Sequence, residues 1–341
     1  MKNKKLKIAI YWLGSCGGCE VALVELNEKI LELAEIADIV LWPVALDFKY
    51  EDLEKLKAQE IDISLINGCI VNFENEEIAK MLREKSKVLI AYGSCACFGG
   101  IPGLVNLATK EEVYKIAYSE TPSTINPKFT TPQQSYKADT HELELPEFYG
   151  YSRALHQVVE VDYFVPGCAP PIESTEKLLE IAKEFAAKGT LPPKGTVIGS
   201  EKSVCDECER EKAEKKSISK IYRIYEKEAE PKKCLLDQGI ICMGPATRGG
   251  CKARCLNANQ PCIGCMGALP EALDQGTKML SALASIIGVE EEKALSEEDL
   301  KKIIDKVADP AGSFYKFSLP VGIISRKHTE KKSEPKWQSK E

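Results

Sequence analysis

The chain has 341 residues, 46 basic and 52 acidic side chains and a net charge of −6. Its 44% apolar and 29% charged residues are those of a soluble globular protein with a buried core, which excludes a disordered or collagen-like chain. No apolar run reaches the roughly 18 residues of a membrane-spanning helix, and the acidic balance speaks against non-specific nucleic-acid binding.

The N-terminus starts basic, but its apolar part is too short for the core of an export signal and carries no twin arginine, so it reads as a first β-strand. Short runs rich in Ile and Val predict strands at Lys7–Leu13, Asp38–Leu46, Asp62–Asn67, Lys87–Tyr92 and Val161–Val165. Helical patterns lie between the first four, at Cys19–Glu35, Glu51–Lys57 and Glu74–Lys85, and another runs from Ile172 to Lys188. This alternation implies an α/β fold, a flavodoxin-like doubly wound parallel sheet with its sites at the carboxyl ends of the strands. Ser119–Glu147 is Pro/Thr-rich and aperiodic, as expected of a long surface insertion. The pattern changes near Leu191–Pro193. Residues 201–233 hold 10 basic and 9 acidic side chains, and Cys234–Met266 is Gly/Cys-rich and barely periodic. Two helices are expected after it, at Glu271–Ile287 and Glu297–Val307. The expected domains are 1–192, a second one of low regular structure at 193–310, and a tail at 311–341. So few apolar residues in the second domain predict an organising metal core.

The chain has 14 cysteines. Disulfide scaffolds are short and exported, so dense cysteine here points to metal or redox chemistry in a reducing, cytoplasmic setting. Cys16 and Cys19 follow the first strand and open the first helix, whose N-terminus favours thiolates. Cys95 follows the fourth strand and Cys168 the fifth, so four thiolates reach one sheet edge from three strand ends. A lone Cys-x-x-Cys fits a thioredoxin-like redox pair; two more strand-end cysteines argue against it. Cys251, Cys255, Cys262 and Cys265 fall within 15 residues, a low loop-closure cost for one four-sulfur set. Cys205, Cys208, Cys234 and Cys242 form another. All-sulfur sets suit zinc or iron–sulfur clusters. Zinc ribbons place about 15–20 residues between their pairs, whereas 53 separate Cys208 from Cys262. Three such sets favour an electron relay over three zinc staples. Cys69 and Cys97 read as buried apolar side chains. His141 reads as solvated, and His156 and His328 have no metal-like neighbours. There is no Ser/His/Asp grouping, Walker loop or dinucleotide fingerprint.

These residues resemble the small subunit of [NiFe] hydrogenases. The resemblance rests on the first Cys-x-x-Cys, on Gly93-Ser-Cys-Ala-Cys-Phe-Gly-Gly100 and on Pro166-Gly-Cys-Ala-Pro-Pro171. Cys242-Met-Gly-Pro-Ala-Thr247, with Cys251 nine positions after Cys242, and Pro261-Cys-Ile-Gly-Cys265 extend it. The ordered motifs run from residue 8 to about 268. The whole chain is most similar to the cytoplasmic archaeal branch, the methyl-viologen-reducing gamma subunits of methanogens, to which Leu46-Asp-Phe-Lys-Tyr50 and Ile101-Pro-Gly-Leu104 add. The resemblance implies three [4Fe-4S] clusters: proximal on Cys16, Cys19, Cys95 and Cys168, medial on Cys251, Cys255, Cys262 and Cys265, distal on Cys205, Cys208, Cys234 and Cys242. It implies no catalytic residue in this chain, because hydrogen is split in a separate large subunit. Electrons would leave through a small iron–sulfur subunit docked to heterodisulfide reductase. The pattern departs from the family where Cys205 replaces a common distal histidine and where Cys255 supplies a fourth medial thiolate in place of proline. Asp47 is a weak rival for a proximal ligand, as in related deazaflavin-reducing enzymes. Oxygen-tolerant members carry two extra cysteines where this chain has Gly18 and Gly100. A quinone-linked complex I-like subunit and a zinc-stapled scaffold are the alternatives.

Overall fold

The computed structural model describes residues 5–214, 217–287 and 296–327. Five parallel strands form the central sheet: β1 (Leu6–Trp12), β2 (Ala37–Leu41), β3 (Ile61–Asn67), β4 (Ser86–Tyr92) and β5 (Tyr163–Val165). Their order is 2-1-3-4-5, the flavodoxin-like winding expected. Side chains alternate between two covered faces, so the strands read as unbroken apolar runs. Ile8, Ile10, Ile63, Leu65, Val88 and Ile90 face one core, which also holds Leu178 and Ala182 of α6 (Ile172–Lys188). Ala9, Tyr11, Ile66, Leu89 and Ala91 face the other, with Ile78, Ala79 and Leu82 of α4 (Phe73–Lys85).

Several elements differ from the periodicity. The pattern at Cys19–Glu35 is two helices, α1 (Gly18–Val24) and α2 (Lys29–Ile36). Asn27 between them has φ 51°, the left-handed region that Asn tolerates, and its side-chain amide donates to Glu25 O at 2.9 Å. β2 stops at Leu41, just before Trp42 and Pro43, which has no N–H for a ladder. The Glu51–Lys57 pattern is a shorter α3 (Tyr50–Glu54). Within the insertion, Ser135–Ala138 pairs antiparallel with His141–Glu144 as an exposed ribbon that polar composition concealed. Ile70–Asn72 pairs with Phe148–Arg153, anchoring the insertion beside β3.

After α6 the chain turns to short pieces: α5 (Ser94–Phe98) in the first half already follows this style, and α7 (Gln275–Ala284) and α8 (Glu297–Ile304) are the helices beyond the cysteine-rich segment. A third apolar core holds this region together. Leu235, Leu236, Ile240 and Met243 pack in it with Met279, Leu283, Phe314, Tyr315 and Leu319. The region therefore has more apolar support than its composition suggested, because widely spaced singletons converge. His328 and the remainder of the expected tail, from residue 328 onward, lie outside the described residues. No helix among the described residues is long and apolar enough to cross a membrane.

Candidate iron–sulfur sites

Four thiols face one another at the carboxyl edge of the sheet, although among the described residues no three Cys, His, Asp or Glu side chains stand close enough together to hold a single metal ion. Cys16 lies on the loop after β1, Cys19 in the first turn of α1, Cys95 in α5 after β4, and Cys168 on the loop after β5. Burial pushes the Cys19 thiol up to about 12, and Cys168 and Cys16 beside it push the same way. Burial also raises Cys95, with Cys69, Cys19, Cys168 and Cys16 adding to it. Each sulfur thus feels its neighbours' charge, Cys69 included. Gly93 and Gly100 make room: with φ of 91° and 61°, a Cβ on either would press into the sulfur of Cys19 or Cys95. Asp47 is exposed on the loop after β2. Cys69 and Cys97 are fully buried, their thiols donating to Gly14 O and Ala91 O at 3.3 Å each, as expected of side chains that fill space. His156 is exposed, its ring meeting Phe164 edge-on, and His141 is exposed.

The second set borders a cavity of about 350 Å³ lined by Cys251, Cys255, Cys262 and Cys265, with Cys168 of the first set on its wall. Burial pushes Cys265 up to about 12; the backbone N–H of Cys168 opposes this, and Cys251 and Cys255 reinforce it. Ser94, beside Cys95, donates to Cys265 O at 2.5 Å and accepts from Gly167 N at 3.2 Å. One buried hydroxyl thus joins the Cys95, Cys168 and Cys265 loops.

In the third set, burial pushes Cys205 up to about 12, with Cys242 beside it pushing the same way, Lys212 opposing, and Cys234 and Cys208 adding to the rise. A Cβ on Gly244 would stand 3.0 Å from the Cys205 sulfur, so this glycine too makes room beside the thiols. The third set adjoins the second where Met243 N donates to Cys262 O at 2.9 Å.

Sequence reasoning missed the groups behind these thiols. Glu20, buried next to Cys19, accepts from Trp42 Nε1 and, at 2.7 Å, from Asn67 Nδ2, tying α1 to the ends of β2 and β3. Its place directly after a Cys-x-x-Cys was the available signal. Burial raises its carboxyl despite both hydrogen bonds.

The family model described as "NADH ubiquinone oxidoreductase, 20 Kd subunit" matches residues 16–181. The iron–sulfur subunit of the F420-non-reducing hydrogenase of Archaeoglobus profundus is 40% identical, covering 94% of this chain and 98% of that protein. The like-named F420-non-reducing hydrogenase subunit of Methanothermobacter thermautotrophicus is 39% identical, covering 95% and 97%. Among solved structures, an NAD+-reducing [NiFe]-hydrogenase in the H2-reduced state is 27% identical over 56% of this chain and 94% of that chain, with a TM-score of 0.46. The doubly wound sheet, the strand-end thiols and the two F420-non-reducing hydrogenase subunits together define a hydrogenase small subunit. The chain belongs to the family of these F420-non-reducing hydrogenase subunits.

Proposed function

We propose that this chain carries electrons from hydrogen oxidation in a [NiFe] large subunit, through three iron–sulfur sites, to an acceptor. Cys16, Cys19, Cys95 and Cys168 would hold the proximal cluster, Cys251, Cys255, Cys262 and Cys265 the medial one, and Cys205, Cys208, Cys234 and Cys242 the distal one. Each four-iron cluster supplies one-electron redox chemistry when bound. The protein's part is to hold thiolates, bring glycine backbone close and exclude water.

The observation that carries this reading is the direct contact between successive sets. Ser94 joins the first to the second, and Met243 N–H to Cys262 O joins the second to the third. Zinc staples need no such chain, since each closes separately on one ion with its sulfurs about 2.3 Å away. The complex I-like alternative accounts for residues 16–181 but leaves the eight cysteines from Cys205 to Cys265 without a role. The division at 192/193 and 310/311, a cytoplasmic assembly, and an acceptor formed by a small iron–sulfur subunit and heterodisulfide reductase complete the proposal. The division follows the change of sequence pattern near Leu191–Pro193, and the cytoplasmic assembly and the acceptor follow the resemblance to the methanogen branch.

Purification of the native assembly under nitrogen tests it. The expectation is about 12 acid-labile sulfide and about 12 cluster irons per chain, in addition to the iron of a copurifying [NiFe] large subunit. Zinc without sulfide would refute the relay.

A further inference from the structure

Arg210 stands two residues after Cys208 and is buried, 8% exposed. An arginine has five N–H donors in a fixed fork, and here all are used, with no carboxylate among their partners in the described residues. Nε and Nη2 donate to Leu256 O at 3.3 and 2.9 Å, and Nη2 also donates to Asn259 Oδ1 at 2.7 Å. Nη1 donates to Glu230 O at 3.1 Å and to Lys233 O at 2.9 Å. Leu256 follows Cys255 and Lys233 precedes Cys234, so one side chain grips a medial and a distal loop together. Glu207, between Cys205 and Cys208, makes a second tie: its Oε1 accepts from the backbone N–H of Gly250, next to Cys251, at 2.5 Å.

Carbonyl oxygens satisfy the guanidinium's hydrogen bonds but leave its full positive charge, and Arg does not give up its proton in proteins. A buried charge without a counter-ion is strongly disfavoured. The two neighbouring cysteine sets answer this. Four thiolates outweigh the charge of a four-iron core, so each loaded site is net negative. We propose that Arg210 is the positioning residue and shared counter-charge of the medial and distal sites, fixing their separation and raising both potentials. Reduction adds negative charge, and a cation held nearby in a low-dielectric interior favours it. The proposal rests on the relay reading above.

The test compares wild type, Arg210→Met and Arg210→Lys, each purified under nitrogen as the assembled hydrogenase. Iron and sulfide are counted first. Midpoint potentials are then read by redox titration under electron paramagnetic resonance. At full iron content, Arg210→Met should lower the medial and distal potentials and leave the proximal one in place. Arg210→Lys keeps the charge and should stay near wild type. Unchanged potentials in an iron-replete Arg210→Met enzyme overturn the proposal. If Arg210→Met loses iron, Arg210→Lys decides: wild-type potentials at full iron support the charge role, and shifted ones overturn it. Loss of iron in both variants makes Arg210 a folding residue only, which also overturns it. Failure of the relay reading itself looks different, because the wild-type assembly would then lack iron in residues 205–265.

Discussion

At the scale of single residues, ligand and filler cysteines make opposite predictions. Cys255 is exposed at the rim of the medial cavity, on the helical turn Arg254–Asn257. Replacing it with Ser removes one thiolate from the proposed medial set and should create a three-iron paramagnetic signal that resists added iron. Cys69→Ser should leave every cluster intact and cost about 1 kcal/mol, since the hydroxyl can replace a weak bond to Gly14 O. Gly18 and Gly100 occupy the places of the extra cysteines of oxygen-tolerant relatives, and neither binds iron. Gly100 has φ 61° and its absent Cβ would collide with Cys95, so this site has no room for that change. A proximal cluster with one redox step and a hydrogenase inactivated by air are therefore expected. Sustained hydrogen oxidation in air, or a second high-potential proximal oxidation, would contradict this. The proposed grouping of the cysteines rests on signals the sequence carries openly, since four follow strand ends and the other eight crowd between residues 205 and 265. Arg210 was hidden, because its partners are backbone carbonyls 20 to 46 residues away and an amide 49 away, which no spacing rule reports.

At the scale of elements, unbroken apolar runs identified all five strands, since a sheet buried on both faces leaves that signature. The helix break at Asn27 and the exposed ribbon at Ser135–Glu144 were hidden, one by continuous helical periodicity and the other by polarity. The insertion returns to the sheet at Phe148–Arg153, and Glu76 of α4 pins it there. Its carboxylate pairs with Lys80 at 2.6 Å, accepts from Tyr149 Oη at 2.9 Å and pairs with Arg153. Burial pushes the Glu76 carboxyl up, but these three partners outweigh it and hold the group at about 2. With the folded value below the unfolded one of about 4.3, the contribution is full above the latter and disappears as pH falls towards about 2. Glu76→Gln should weaken the Ile70–Asn72 to Phe148–Arg153 pairing by about 1.5–3 kcal/mol at neutral pH, the range for hydrogen bonds to charged groups. Local hydrogen exchange, compared at matched pH, should show the gap to wild type closing in acid. A gap independent of pH would mean the charge is not what holds the pairing.

At the scale of the whole molecule, the two halves rest on different supports. The sheet buries apolar side chains on both faces, and its parallel ladders register continuously from Ile8↔Ile63 to Ala91↔Phe164. The C-terminal region has a real core, but its longest helix between Cys205 and Leu283 begins only at Gln275, and two of its core residues, Cys242 and Cys262, are proposed ligands. Stripping iron would leave these sulfurs as buried thiols and release the loops that the clusters tie. Arg210 would at the same time lose its counter-charges, adding an uncompensated buried cation at the joint between the two sets. Chelation or oxidative cluster loss should therefore open residues 201–266 to protease before the sheet. Cuts are expected first in the polar stretch from Lys212 to Lys233, where Ile224 and Tyr225 are exposed at 43% and 77%. The apolar core around Leu235, Met279 and Phe314 should slow this opening and keep a compact remnant, so cleavage by time-resolved mass spectrometry should proceed in two phases. Simultaneous cleavage of both halves would show that the clusters and the sheet stabilise one cooperative unit.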